Sequence, residues 1–334
     1  MTNKALNHLD RVLDMARKAG ADAADAVLAD GRAVSLSVRK GDLEKLERAE
    51  AAELGLRVFI GQRAAMVSTS DLSDGSLTQL AERAVAMAKV MPEDPHAGLA
   101  DPDQLMTGDL PDCDLSDSAE PAEDELIASA RAAENEALAV AGVTNSEGAD
   151  ASFGRSEIAL GATNGFARAY ETSHGSLSVS VLAGNKDEGL ERDYDYAVSV
   201  YRSDLPKPEV LGLNAGQRAV ARIGARKVAS ATVPVVFDPR VSRSLLGHLL
   251  GAINGASIAR GTSFLSDALG TQIFAPNVSI VENPHMRRGL RSRPCDAEGL
   301  ETHKRSLIDN GVLTTWLMDL RSSRQLGLSP TGHG

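Results

Sequence analysis

Apolar residues recur on one helical stripe at Leu6, Leu9, Val12, Leu13 and Ala16, and Gly20 follows as a stop, which predicts a first helix. The pattern then changes to two-residue alternation. Residues 26–28, 34–38 (Val34, Leu36 and Val38 on one face), 54–60 and 64–68 are predicted as short strands, with turns at Gly41 and Gly61. Ser76-Leu77-Thr78-Gln79 has capping-box spacing and predicts a second helix that buries Leu77, Leu80, Ala84 and Val85 and ends before Pro92.

This succession recurs further on. A helix is predicted over 123–139, then strands over 156–162, 166–172, 176–183 and 194–201, with a hairpin signal at Thr163-Asn164-Gly165, then a helix from Pro208 to about Ala225. The turn Lys40-Gly41-Asp42-Leu43 stands where Thr163-Asn164-Gly165-Phe166 stands, which reads as a duplication. The last portion predicts a strand over 233–237, a turn at Asp238-Pro239, a helix over 241–253, a strand over 278–281, and a hairpin through Asp309-Asn310-Gly311-Val312 into β structure over 313–317. The expected class is therefore α+β: a duplicated helix–antiparallel sheet–helix unit followed by an incomplete, largely β C-terminal domain. The boundaries read as 1–90, a linker over 91–121, 122–227, and 228–334.

With 43% apolar and 24% charged residues, the 334-residue chain is too apolar to be disordered. Its formal net charge of −11 is uneven, because the stretch from Val90 to Ala130 contains twelve acids and no Lys or Arg. The rest is close to neutral, so a basic nucleic-acid footprint is absent. Residues 91–121 also hold five of the 13 prolines, which predicts a linker or extended excursion, with a negatively charged docking surface or a divalent-cation site as the alternative. Their aspartates lack the Gly and terminal Glu of a calcium loop. The six Phe, four Tyr and one Trp give few platforms for stacking bases. Two cysteines, no signal peptide and no membrane-length apolar run point to a reduced, cytoplasmic protein.

Candidate chemistry is sparse. None of the seven histidines (His8, His96, His174, His248, His285, His303, His333) is paired with another at metal-ligand spacing. His-Glu-x-x-His, nucleophile-elbow and phosphate-loop motifs are missing. His248 lies among Leu245, Leu246, Leu249 and Leu250 and reads as a helix-edge or satisfied core histidine. Cys295, beside Arg291 and Arg293, is either a packed thiol or a reactive one. The basic run 287–293 is either a solvated or salt-bridged surface or a site for an acidic partner or phosphate.

The segments Leu54-Gly55-Leu56-Arg57-Val58-Phe59-Ile60-Gly61, Val67-Ser68-Thr69-Ser70-Asp71, Thr144-Asn145-Ser146-Glu147-Gly148, Pro234-Val235-Val236-Phe237-Asp238-Pro239, Ala259-Arg260-Gly261-Thr262-Ser263-Phe264-Leu265, Ser292-Arg293-Pro294, the stretch 311–317 and the stretch 326–333 run in order along the chain. Together they resemble the PmbA (TldE) branch of the TldD/PmbA family, in its alphaproteobacterial form. The resemblance implies a cytosolic metalloprotease system acting on peptides or unfolded small proteins, in which a TldD-like subunit supplies zinc and this branch completes a heterodimer. It also implies a His-Glu-x-x-x-His motif in the protease subunit, on the helix after the strand 233–237.

At those positions this chain has Gly247-His248-Leu249-Leu250-Gly251-Ala252. Both histidine positions are lost, to Gly247 and Ala252, and His248 stands at the glutamate. Zinc hydrolysis needs about three protein ligands and a carboxylate base. Neither catalytic nor metal-ligating residues are therefore expected here; the leucines are expected to keep the helix packed and Gly251 to allow a close backbone approach. Extended peptides are expected to add to an exposed sheet edge. A self-sufficient homodimeric metallopeptidase, and a regulatory binding protein acting on DNA gyrase or a toxin–antitoxin system, are the alternatives. The resemblance further implies about 100 more residues beyond His333, comparable to a small domain.

Overall fold

The structure, a computed structural model, describes residues 2–185 and 189–334. Its centre is one six-stranded antiparallel sheet in the order β3-β2-β1-β4-β5-β6, formed by β1 (Ala23–Arg39), β2 (Asp42–Ile60), β3 (Arg63–Thr69), β4 (Val143–Ala162), β5 (Ala167–Asn185) and β6 (Gly189–Ser199). Helices α1 (Thr2–Ala19) and α2 (Asp74–Val90) pack on its first half, and α3 (Glu123–Ala139) and α4 (Pro208–Ala221) on its second. Each half thus has the order helix, three strands, helix. The halves meet where β1 pairs antiparallel with β4, from Asp25 opposite Ala162 to Val38 opposite Ala149.

The strands are longer than the sequence pattern predicts. Ala24, Ala26 and Leu28 face the first core and Val34, Leu36 and Val38 the second, all with even parity, so one strand passes beneath both helix pairs. The segment 29–33 between them is polar and reads as a break, yet it pairs on both sides. The first half of β2, Asp42 to Ala51, has no apolar alternation because every residue in it is exposed; it is held by pairing with β1 on one side, its other side being a free edge. The two predicted strands over 166–183 are likewise the single β5.

The turns are built as their residues require. Lys40 and Gly41 have φ of 53° and 82° and close the β1–β2 hairpin, and Gly165 at 97° closes β4–β5. Beneath the first turn lies the fully buried Glu134 of α3. Its carboxylate accepts the Lys40 and Gly41 N–H groups at 2.7 and 2.8 Å and the Ser146 hydroxyl at 2.5 Å. A buried polar side chain is tolerated there because its oxygens accept three hydrogen bonds.

Three expectations need correction. Helix α2 is capped by Ser73, whose side chain accepts the Ser76 N–H, so Ser76 lies in the first turn and is not the cap. The strand predicted over 233–237 does not form: Val233, Val235, Val236 and Phe237 are exposed and, among the described residues, pair with no strand. Beyond them come α5 (Pro239–Ala252), α6 (Gly255–Ala259), a small sheet of β7 (Ile280–Glu282), β8 (Arg305–Asp309) and β9 (Val312–Leu313), and α7 (Leu320–Leu326). This portion is less β-rich than its pattern predicts.

The acidic segment 91–121 has no helix or strand beyond the short 3-10 turn Pro102–Gln104, and many of its residues are exposed, but it is anchored to the rest of the chain at intervals. Ala100, Met106, Cys113 and Leu115 are buried, and Met106 joins Leu160, Phe166 and Cys295 on the sheet face opposite the helices. Backbone bonds run from Met106 N–H to Gly299 and from Arg288 N–H to Cys113, both 2.8 Å. The acids are used in pairs with other elements: Asp94 with Arg321, Asp112 with Arg287, Asp114 with Arg288, Glu120 with Arg32, Glu123 with Arg48 and Glu125 with Arg202. Such pairs are worth about 0–1 kcal/mol each at a surface, but together they fix where the strap lies. Part of the basic run 287–293 is therefore a salt-bridged interface; Arg288 also lies 3.7 Å from the Tyr201 ring centroid.

Candidate functional site

Helix α5 carries the degenerate motif. Asp238 caps it by accepting the Arg240 N–H at 2.9 Å, and Pro239 opens it, where a missing N–H costs nothing. Arg240 then pins the helix to β6: its guanidinium donates to Asp193 at 2.8 Å and to the Tyr194 carbonyl at 2.9 Å, and stacks 5.3 Å from the Tyr194 ring centroid. Arg243, one turn on, lies 5.3 Å from the Tyr196 ring centroid. Burial pushes the Asp193 carboxyl upward, but hydrogen bonds from Arg240, Tyr194 N–H and Arg222 outweigh it and hold the group below its ordinary range.

Only the end of α5 reaches a core. Leu249 and Ile253 pack with Leu307, Ile308 and Leu313, whereas Val241, Leu245, Leu246 and Leu250 are 40–51% exposed. The expected tight packing of the leucines is thus confined to Leu249. His248 is exposed, and an added Cβ at Gly247 or Gly251 would meet nothing within 4 Å, so the close approach expected at Gly251 is absent. Gly247 and Ala252 offer no donor atom, and no three His, Cys, Asp or Glu side chains converge among the described residues. The donor set on α5 does not fit a metal.

Between β6 and α5 lies an open cleft of about 1370 Å³. Arg192, Arg222, Arg240, Arg243 and Arg291 line it, together with Leu246, Leu250 and Leu290. A second cleft, about 600 Å³, lies beside Glu282, His303 and His333. There His333 bridges the Thr331 hydroxyl and Glu282, 2.9 Å to each, and Arg305 reaches Glu282 at 2.9 Å. His285 bonds the Thr302 hydroxyl at 2.8 Å.

Cys295 is a packed thiol. Burial, reinforced by Asp296, pushes it up to about 11, against the lowering that its arginine neighbours alone suggest. Cys113 is raised as well, by burial and then Asp112. Sequence reasoning missed Asp193, Tyr194, Tyr196, Arg240 and Arg243; the only signal was the Asp-Pro cap, which places Arg240 and Arg243 one turn apart on the first part of α5.

Parts of the sheet's edges carry their own partners or charges. The backbone N–H and C=O of Tyr194 are taken by Asp193 and Arg240, which caps the edge of β6 at its middle. The free half of β2 carries exposed Glu44, Lys45, Glu47, Arg48 and Glu50.

The chain thus has a curled antiparallel sheet with paired helices on one face, followed by a mixed helix-and-strand portion opened by α5, and this architecture is that of the metallopeptidase family its domains match. The chain matches PmbA/TldA metallopeptidase domain 1 over residues 24–88, the central domain over 116–223 and the C-terminal domain over 230–334. It is 37% identical over 313 residues to the metalloprotease PmbA of Escherichia coli O157:H7, covering 93% of this chain and 69% of that protein. The crystal structure of a candidate modulator of DNA gyrase from Bacteroides thetaiotaomicron superposes with a TM-score of 0.92 at 28% identity, covering 98% of this chain and 75% of that one. TldE from Thermococcus kodakarensis shares the fold, with a TM-score of 0.82 at 19% identity over 97% of this chain and 72% of its own. The chain belongs to the PmbA/TldD metallopeptidase family. No helix among the described residues is long and apolar enough to cross a membrane.

Proposed function

We propose that this chain is the non-catalytic member of a cytosolic metalloprotease pair acting on peptides or unfolded small proteins. A TldD-like subunit supplies the zinc and the general base, and this chain contributes substrate-facing surface. The observation that carries the reading is the donor set on α5: Gly247 and Ala252 have no ligating atom, and His248 stands alone and exposed. A zinc site that lowers the pKa of bound water needs about three protein ligands, and these positions supply one at most. The division into 1–90, 91–121, 122–227 and 228–334 accompanies this proposal, with the acidic segment acting as a strap that orients the last domain on the sheet.

Copurification tests the pairing. A tagged form of this chain is expected to retain a His-Glu-x-x-x-His-bearing homologue from its own cell extract, and metal analysis is expected to find zinc in proportion to that homologue. Zinc bound stoichiometrically to this chain alone and surviving dialysis overturns the proposal in favour of a self-sufficient homodimer. The name of the Bacteroides neighbour motivates the regulatory reading, which a gyrase supercoiling assay with the purified chain decides.

A further inference from the structure

We propose that the two halves of the six-stranded sheet with their helices, residues 2–90 and 123–221, form one cooperative unit locked by a reciprocal latch, in which the first helix of each half holds the hairpin turn of the other. The inference rests on contacts within the sheet and its helices and is independent of the reading of the chain as a protease subunit.

Side chains that cross between the halves give the first argument. Helix α3, in the second half, grips the β1–β2 turn of the first: the Glu134 carboxylate accepts the Lys40 and Gly41 N–H groups, and the Arg131 guanidinium donates to the Gly41 carbonyl at 2.8 Å. Helix α1, in the first half, holds the β4–β5 turn of the second. Arg17 donates to the Thr163 carbonyl at 2.8 Å, and Leu9 and Leu13 lie against Gly161, where an added Cβ would come to 3.3 Å from Leu9. Just past α1, Ala24 and Thr163 are tied twice: the Ala24 N–H donates to the Thr163 hydroxyl at 3.0 Å, and the Thr163 N–H donates to the Ala24 carbonyl at 2.8 Å.

The shared strands give the second argument. Strand β1 sends Ala24, Ala26 and Leu28 into the first core and Val34, Leu36 and Val38 into the second. Strand β4 does the converse, with Ala149, Ala151 and Phe153 in the second core and Ala159 in the first. The two strands are paired from Asp25 opposite Ala162 to Val38 opposite Ala149. Opening either core therefore uncovers part of both strands and frees one turn from its helix, leaving apolar surface and backbone groups without partners in the half that stays folded. Glu134 is fully buried, so releasing its three hydrogen bonds requires the second core to open. A partner that binds either half stabilises both.

The test is native-state hydrogen exchange of the full chain, read by mass spectrometry in a series of urea concentrations below the unfolding transition. The amides of α2 and α4, which lie on opposite halves, are expected to converge on a single opening equilibrium as urea rises. Leu77→Ala, in the first core, is expected to accelerate exchange in α4 as much as in α2, on the order of a hundredfold. Glu134→Ala, in the second half, is expected to accelerate α2 as much as α4, roughly thirtyfold. Acceleration confined to the substituted half, or separate convergence of α2 and α4 in urea, overturns the proposal. The urea series on the unmodified chain decides even if a variant fails to fold.

Discussion

Helices α2 and α5 have similar apolar content and opposite fates. In α2, Leu77, Leu80, Ala81, Ala84, Val85 and Ala88 are all buried, because strands β2 and β3 and helix α1 lie against them. In α5, Leu249 alone is buried, and Val241, Leu245, Leu246 and Leu250 face outward. An apolar stripe states that a helix has surface to cover; it does not state that the covering layer lies in the same element set. Where the sheet supplies that layer the stripe gives stability, and along α5 the described residues supply it only at Leu249.

Truncation separates the two regions most sharply. Leu77→Ala is expected to lower unfolding stability by about 3 kcal/mol through lost burial and a residual cavity, whereas Leu246→Ala is expected to stay within about 0.5 kcal/mol. Urea denaturation measures both, and a comparable loss at Leu246 shows that α5 is covered after all. Next in size is Glu134→Ala, which strips partners from two backbone N–H groups and a hydroxyl and is expected to cost roughly 2 kcal/mol. The same denaturation experiment reads it.

A smaller effect concerns the contact between the last domain and the sheet. Glu298 lies 3.6 Å from Arg57 and accepts the Leu320 N–H at 2.8 Å. Burial, reinforced by Asp296 and Asp319, outweighs these and raises its carboxyl from 4.5 to about 7. The folded state therefore holds this proton more tightly than the unfolded chain. The resulting stability is fully present below 4.5 and is lost as pH rises through about 7. Glu298→Gln is expected to flatten that part of the melting temperature against pH; an unchanged profile contradicts the raised value. Smallest is the thiol test: Cys295 is expected to resist alkylation at neutral pH until the protein unfolds, and rapid labelling of the native chain contradicts its burial.

The helices and the alternating strand halves were legible because their burial follows their sequence period. Leu9, Val12 and Ala16 in α1, or Leu54, Leu56 and Val58 in β2, are apolar where they face the core. The exposed half of β2 was not legible, since pairing with β1 holds it without a buried face. Nor was the strap over 91–121. Its prolines and acids read as a linker or extended excursion, while its anchors, Met106, Cys113 and Leu115, are isolated residues whose partners lie far along the chain. Of the candidate site, the lost donors at Gly247 and Ala252 were visible through a motif. The arginine–tyrosine wall was not, because it joins β6 to α5 across more than 40 residues, as the Arg240–Asp193 separation of 47 shows.

The central claim is that this chain takes part in proteolysis without performing it. The direct measurement is peptidase activity on an unfolded peptide, with this chain alone, with its His-Glu-x-x-x-His-bearing partner alone, and with the two mixed in equal amounts. The account predicts no turnover from this chain, little from the partner, and strong metal-dependent cleavage from the mixture. Turnover by this chain alone contradicts it.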